Sequence, residues 1–324
     1  MRSQFTPIIG QNQAIQLLTQ AVAHQRVAPG YLFAGPSGVG RGLTAQCFIE
    51  LLFSNTNSPT TNNSSVQHRI HKRNHPDLLW VEPTYLHQGK LLSLEEAAAA
   101  GVKRKAPPQI RLEQVRDIAQ FLGRPPLEAP RSIVVLQQAE TMGEGAANGL
   151  LKTLEEPGKR ATVILIAPGV DALLPTLVSR CQRIPFYRLT QENMQLVLEK
   201  AGYEAILTCA EVMAMAQGSP GEAIACWQQL QQIPADILEV ATQGIQNTRQ
   251  ALTVARDISK SLDTEAQLWL IDYLQHFYWR QQQQQAYGAE FLKHLEVAKK
   301  YLLSYVQPRL VWECTLMAMR SAAR

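Results

Sequence analysis

The stretch Gly149–Gln182, GLLKTLEEPGKRATVILIAPGVDALLPTLVSRCQ, decides the fold. Leu150, Leu151 and Leu154 fall at helical spacing and make one apolar face. Pro157 stops that helix and Gly158 releases the turn. Ala161–Ala167 is an unbroken β-rich run, as expected of a strand buried on both faces of a parallel sheet. Pro175 suits the first turn of a second, short helix, which ends on Ser179, Arg180 and Cys181. A cation there is favoured by the helix dipole. The pattern predicts that Arg180 projects from the carboxyl edge of the sheet. Two readings of Arg180 follow: a surface ion-pair residue, or a charge offered to something outside the chain.

Upstream, Tyr31–Ala34 reads as a short strand. Gly35-Pro36-Ser37-Gly38-Val39-Gly40-Arg41-Gly42 follows, and then a helix to about Phe53. Strand, glycine loop and helix is the setting a phosphate-binding loop needs. Its backbone N–H groups and the helix N-terminus would form an anion nest. Two working side chains have changed. A phosphate loop has lysine where this chain has Arg41, and a hydroxyl for Mg²⁺ where it has Gly42. Arg41 keeps the charge as a planar fork rather than a compact ammonium, and Gly42 has no oxygen to offer. Gly35, Gly38, Gly40 and Arg41 thus read as a vestigial loop held for structure. Weak residual binding of nucleotide or phosphate is the other reading.

A chain of 324 residues suggests two or three domains. A net charge of +4 is a weak hint toward nucleic acid, because dedicated binders are usually more basic. The five cysteines (47, 181, 209, 226 and 314) are scattered without a CxxC pair, which points to no zinc site and no disulfide framework. The start, MRSQFTPIIGQ, has no signal-type apolar core, and no run approaches the length of a membrane span. A reduced cytoplasmic setting is expected.

LLKTLEEP followed at this distance by LLPTLVSRC resembles the AAA+ clamp-loader family of DNA replication. The likeness covers most of residues 5–235, including Ile8-Ile9-Gly10-Gln11 and HPDLLWVEP from His75. It implies an α/β P-loop (AAA+) domain with a parallel sheet over 1–186, a small helical lid over 187–233 and an all-α collar for oligomerisation over 234–324. In that family the Ser-Arg-Cys arginine reaches across a subunit interface to a neighbour's ATP. The role falls on Arg180, flanked by Ser179 and Cys181. A motor of the family places Asp-Glu after the strand that matches Ser132–Leu136, to hold Mg²⁺ and to activate water. Here those positions are Gln137 and Gln138, and a neutral amide does neither job well. Glu140, two residues on, reads as structural. The γ-phosphate sensor position is Ala167-Pro168. The Arg expected after a GSPG-like turn is Glu222. With Gly42, these changes predict no ATP hydrolysis by the isolated chain.

The resemblance further implies ATP and Mg²⁺ on neighbouring gamma/tau motor subunits, and no tightly bound cofactor here. Gamma/tau and delta subunits are the implied direct partners. The sliding clamp and primed DNA are reached through the assembly, which serves a DNA-directed DNA polymerase. Two alternatives stand: an autonomous gamma-type ATPase, and a DNA-binding scaffold resting on Lys103-Arg104-Lys105. That triplet reads equally well as a solvated loop. Family members carry a four-cysteine zinc module near Asn55–Gln67. Here the cysteines are missing, and His68, His71 and His75 lack a fourth ligand, so zinc is not expected. Ile8–Gln11 reads as a lead-in to a helix at 12–24, and Ile110–Leu122 as an amphipathic helix. Thr190-Gln191-Glu192 starts the next helix with a capping pattern, and helices over Ala205–Ala216 and Gly221–Leu230 follow it. Leu310, Val311, Cys314, Leu316 and Met317 pack either in the ring or within the bundle. Gln281–Gln285 reads as a solvated helix end.

Overall fold

The computed structural model describes residues 2–54, 63–99, 107–158, 160–283 and 289–322. In chain order these form α1 (Asn12–Ala23), β1 (Gly30–Ala34), α2 (Arg41–Ser54), α3 (Asn63–His71), β2 (Leu78–Val81), β3 (Tyr85–His87), β4 (Lys90–Leu92), α4 (Leu94–Ala99), α5 (Leu112–Leu122) and β5 (Ser132–Leu136). Next come α6 (Glu144–Glu155), β6 (Ala161–Ala167), α7 (Pro175–Val178), β7 (Gln182–Pro185), α8 (Gln191–Lys200), α9 (Ala210–Ala216) and α10 (Pro220–Gln232). The chain ends in α11 (Ala235–Gln243), α12 (Thr248–Ser261), α13 (Thr264–Gln283), α14 (Ala289–Leu303) and α15 (Pro308–Ala322). It divides into two units, Met1–Leu196 and Val197–Arg324.

The first unit is built on a sheet of order β2-β5-β6-β1-β7. Every pairing in it is parallel: Leu78 lies opposite Ile133, Ser132 opposite Ala161, Gly30 opposite Val163 and Tyr31 opposite Gln182. All residues of β5 and β6 are buried, which explains why neither strand alternates in sequence. Within β1 the faces divide by parity. Leu32 joins the core made with α5 and α6, while Tyr31 meets Phe48 of α2 edge-on at 5.2 Å.

Asp77 sets the rim of this unit. Its carboxylate is buried and accepts the backbone N–H groups of Leu127, Glu128 and Ala129 at 2.6, 2.7 and 2.7 Å. Three such bonds to one anion pin the loop that leads into β5. Beside it, β3 and β4 form an antiparallel hairpin closed by Gln88-Gly89, both at positive φ (49° and 78°). A turn with two left-handed residues matches the twist of the strands it joins. The sequence reading placed no strands in this region.

The second unit is all-α. Its core gathers Ala251, Ile258, Leu270, Leu274, Leu295 and Leu316 around a fully buried Trp312. The Trp312 indole donates to Gln267 Oε1 at 3.0 Å, and Gln267 Nε2 donates to the Leu262 carbonyl at 2.9 Å, so both buried polar groups are satisfied. Arg280 of α13 pairs with Glu211 of α9 at 3.2 Å, tying the helices expected as a lid to the bundle. The single helix expected over Ala205–Ala216 is instead a 3₁₀ turn, Glu204–Thr208, followed by α9. Cys209, in an extended conformation between them, breaks the helix. Val311 and Leu316 are spent on the bundle core, whereas Leu310 and Cys314 are exposed. Residues 55–62, Lys103-Arg104-Lys105 and 284–285 lie outside the described residues. Among the described residues no helix is long and apolar enough to cross a membrane.

Candidate functional site

The glycine loop springs from the carboxyl end of β1. Gly35 donates its N–H to the Ala167 carbonyl at 3.2 Å. A Cβ on Gly35 would lie 2.3 Å from the Phe186 carbonyl oxygen and 2.7 Å from the Phe186 Cβ, so only glycine fits. Gly38 and Gly40 take positive φ, 70° and 98°, where other residues are strained. Thr44, fully buried, donates its hydroxyl to the Gly40 carbonyl at 2.9 Å. Gln11 locks the loop from the side. Its carboxamide donates to the Val39 carbonyl (3.2 Å) and the Tyr187 carbonyl (2.7 Å), and accepts from the Tyr187 N–H (3.2 Å). The motif read in sequence as a helix lead-in thus straps the loop to the segment after β7.

Arg41 opens α2, and its Nη1 is buried without a hydrogen-bond partner. Burial pulls its pKa below the ordinary arginine value, and the Glu140 carboxylate partly restores it. Glu140 therefore acts on the loop electrostatically from the end of β5. Gly42 has no side-chain oxygen, and the Gln137 carboxamide oxygen accepts from the Trp80 indole at 3.0 Å. Gln138 is exposed in a left-handed conformation, φ 52°. Ala167 is buried and Pro168 is exposed. Glu222 stands in the first turn of α10, with its N–H given to Ser219 Oγ at 3.3 Å.

The three histidines have separate surroundings. His71 faces Glu50 at 3.0 Å, His68 is exposed, and His75 is buried against Phe53 with ring centroids 4.7 Å apart. Among the described residues no group of three or more His, Cys, Asp or Glu is placed to hold a metal ion.

Arg180 lies elsewhere than expected. It sits just beyond α7 and two residues before β7, whose first residue pairs with Tyr31 at the start of β1. A Cβ on Gly30 would touch the Arg180 carbonyl at 3.2 Å and Cys181 Sγ at 3.1 Å. Arg180 is therefore at the amino edge of the sheet, not the carboxyl edge. The chain must travel back from the end of β6 before β7 can run parallel to β1. The glycine loop and Arg180 are separated by the length of β1, roughly 17 Å at about 3.3 Å per residue.

The guanidinium is exposed and held in a defined pose. Nη2 reaches Glu155 Oε1 at 2.5 Å and Nη1 donates to the Thr176 carbonyl at 3.0 Å. The second contact satisfies a carbonyl of α7, the expected cation at a helix C-terminus. Ser179 Oγ donates to the same carbonyl at 3.0 Å. Cys181 is buried, and burial pushes its thiol up to about 11, so it packs rather than reacts. Glu155 was not singled out in the sequence. It ends α6, where the dipole disfavours an anion, and Arg180 offsets that local cost.

Comparison with known proteins follows the two units closely. A family model described as "DNA polymerase III, delta subunit" matches residues 10–190, and one described as "Cyanobacterial DNA polymerase III delta prime, C-terminal domain" matches residues 192–319. The DNA polymerase III subunit delta' of Bacillus subtilis is 29% identical over 187 residues, 57% of this chain and 50% of that protein. Its counterpart in Pseudomonas aeruginosa is 28% identical over 210 residues, 63% of this chain and 57% of the relative. The chain thus spans little more than half the length of these curated relatives. A crystal structure of a gamma-subunit-related DNA polymerase III protein from Thermotoga maritima superposes with a TM-score of 0.55 at 16% identity, covering 96% of this chain and all of the other. That likeness establishes a shared fold.

Proposed function

The chain belongs to the delta-prime family of DNA polymerase III subunits, and on that premise we propose that it is a non-hydrolysing member of a clamp-loader ring. It presents Arg180 to ATP held by an adjacent gamma/tau motor subunit. There the guanidinium stabilises charge as the γ-phosphate leaves, the electrostatic task that dominates phosphoryl transfer. ATP and Mg²⁺ belong to the neighbour in this reading. The delta subunit is a further direct partner. The sliding clamp and primed DNA are engaged through the assembly, in the cytoplasm.

One observation carries the reading: the vestigial phosphate loop and Arg180 occupy opposite edges of one sheet. An arginine about 17 Å from its own loop cannot reach a phosphate bound there. It can serve a site on a second subunit stacked against the amino edge. Glu155 and Thr176 hold the guanidinium in a plane ready for docking, which lowers the entropy lost on contact. At its own loop, Arg41 retains an unsatisfied Nη1 that suits an anion, but Gly42, Gln137 and Gln138 supply no carboxylate or hydroxyl for Mg²⁺.

The test is reconstitution with motor subunits, with and without Arg180→Ala. The variant ring should assemble and lose DNA-stimulated hydrolysis at the adjoining site. The isolated chain should turn over no Mg·ATP. Turnover at a motor subunit's rate by this chain alone would overturn the proposal.

A further inference from the structure

The substitution at Glu222 removes a cation from the position where the resembled motors carry one, but loss alone does not explain an acid. In the structure Glu222 lines a cleft of about 730 Å³ within the second unit, bounded by α10, α13 and α14. The floor is a stripe of α13. Trp269, Asp272, His276 and Trp279 recur at intervals of three and four and so share one face. Trp269 is fixed by stacking on Tyr273 (5.5 Å, 23°). Trp279 is half exposed, an unusual state for so large an apolar ring.

The walls are acidic. Lys299 of α14 pairs with Asp272 at 2.5 Å, so the one ammonium lining the cleft is already matched by a carboxylate. Glu222 on α10 and Glu296 on α14 both line the cleft. The lining carries three carboxylates against one ammonium, whereas the chain as a whole is +4. A cleft of the opposite sign to its own protein, floored by indole rings, suits a cation with an apolar stem. The stripe from Trp269 to Trp279 runs about 15 Å along α13 at 1.5 Å per residue, the length of roughly three helical turns.

We propose that this cleft docks a lysine- or arginine-bearing amphipathic helix of a partner protein. Its apolar face lies on Trp269 and Trp279, and its cationic edges meet Glu222 and Glu296. The mode is helix-in-groove recognition with charge complementarity at the rim. It does not depend on Arg180, which lies in the other unit.

The experiment titrates the full chain with a synthetic helix of about three to four turns, leucines on one face and lysines along both edges, and with its lysine-to-glutamine twin. Binding is read by tryptophan fluorescence and calorimetry at low and moderate salt. The lysine peptide should bind at least tenfold more tightly than its twin, and salt should narrow the gap. Glu222→Gln combined with Glu296→Gln should erase most of that tenfold preference. Trp279→Ala should weaken both peptides. Circular dichroism establishes that these surface variants are folded. Equal binding of the two peptides, binding unaffected by the glutamine pair, or no binding of the lysine peptide each overturns the proposal. So does preference for an acidic peptide or single-stranded DNA, or concentration-dependent self-association that the Trp279 variant abolishes.

Discussion

Replacing Arg180 by alanine separates a residue kept for its own fold from one kept for a neighbour, because the two roles differ in energy several-fold. Within the chain the side chain makes an ion pair, 2.5 Å to Glu155, and hydrogen bonds to the Thr176 carbonyl at 3.0 Å and to Ser179 Oγ at 3.5 Å. The two ionic side chains are 36% and 47% exposed, so solvent screens the pair. Such contacts contribute about 0.5–1 kcal/mol. Water replaces the guanidinium at Thr176. Glu155, left alone at the end of α6, adds about 0.5 kcal/mol of unfavourable dipole interaction. The fold should therefore lose about 1 kcal/mol, a fall in Tm of about 2–4 °C. A trans arginine finger contributes about 10³–10⁵ in rate, or roughly 4–7 kcal/mol at 1.36 kcal/mol per decade. The assay is single-turnover hydrolysis in a reconstituted ring whose other motor sites are inactivated, so that only the site adjoining this chain reports. Urea unfolding of the isolated variant runs in parallel. Glu155→Gln is the companion, since it keeps the shape and frees the guanidinium. It should remain within about tenfold of the unaltered ring, a rate factor of under 1.4 kcal/mol. Hydrolysis unchanged by Arg180→Ala would refute the finger. A stability loss above about 3 kcal/mol with failed assembly would show that the arginine is structural after all.

Further outcomes test the scaffold. Gly35→Ala forces a Cβ against the Phe186 carbonyl and should cost about 3 kcal/mol of unfolding free energy. Gly40→Ala meets open space at φ 98° and should cost only about 1 kcal/mol of backbone strain, a difference that urea midpoints resolve. Asp77→Asn turns an amide donor toward backbone N–H groups that now share two carboxylate oxygens, and should lower stability by about 3 kcal/mol in the same measurement. His75 is held below its ordinary pKa, first by burial and then by Arg69, with Asp77 and Glu128 pulling the other way. Its Nδ1 accepts the Asp77 N–H at 3.1 Å, so protonation breaks that bond. With the folded value below the unfolded one, stability is full above about pH 6.5 and falls as pH drops through the folded value. Glu50, raised by burial, acts with the opposite sign: its contribution is full below about pH 4.5 and is lost as pH rises through the raised folded value. His75→Asn should flatten the loss between pH 7 and 5 in urea titrations, and an unchanged slope would contradict the assignment.

What the sequence disclosed follows from which physics is local. β5 and β6 were legible because a strand buried on both faces must be a continuous apolar run, and Ala161–Ala167 is one. The glycine loop was legible because its chemistry is carried by neighbouring residues. The edge on which Arg180 sits was misread because helix spacing alone says nothing of strand direction. Gln11 and Glu155 were missed because their partners are distant: Gln11 bonds to Tyr187, 176 residues away. The β3–β4 hairpin turns on Gln88-Gly89, a weaker signal than the Asn-Gly or Asp-Gly that usually marks such a turn.

The corrected edge strengthens the functional argument rather than weakening it. Had Arg180 stood on the carboxyl edge beside the glycine loop, a role toward the chain's own nucleotide would have competed with a role toward a neighbour's. With the two on opposite edges, the proposed reading has subunits stack head to tail, the loop of one meeting the arginine of the next, which would be a heterologous contact rather than a two-fold one. In such a row a member that keeps its arginine and lacks Mg²⁺ ligands can complete a site without owning one. On the proposed reading it therefore belongs where only its amino edge faces a working motor, and a ring in which its glycine loop must also hydrolyse ATP would be inconsistent with Gly42, Gln137 and Gln138.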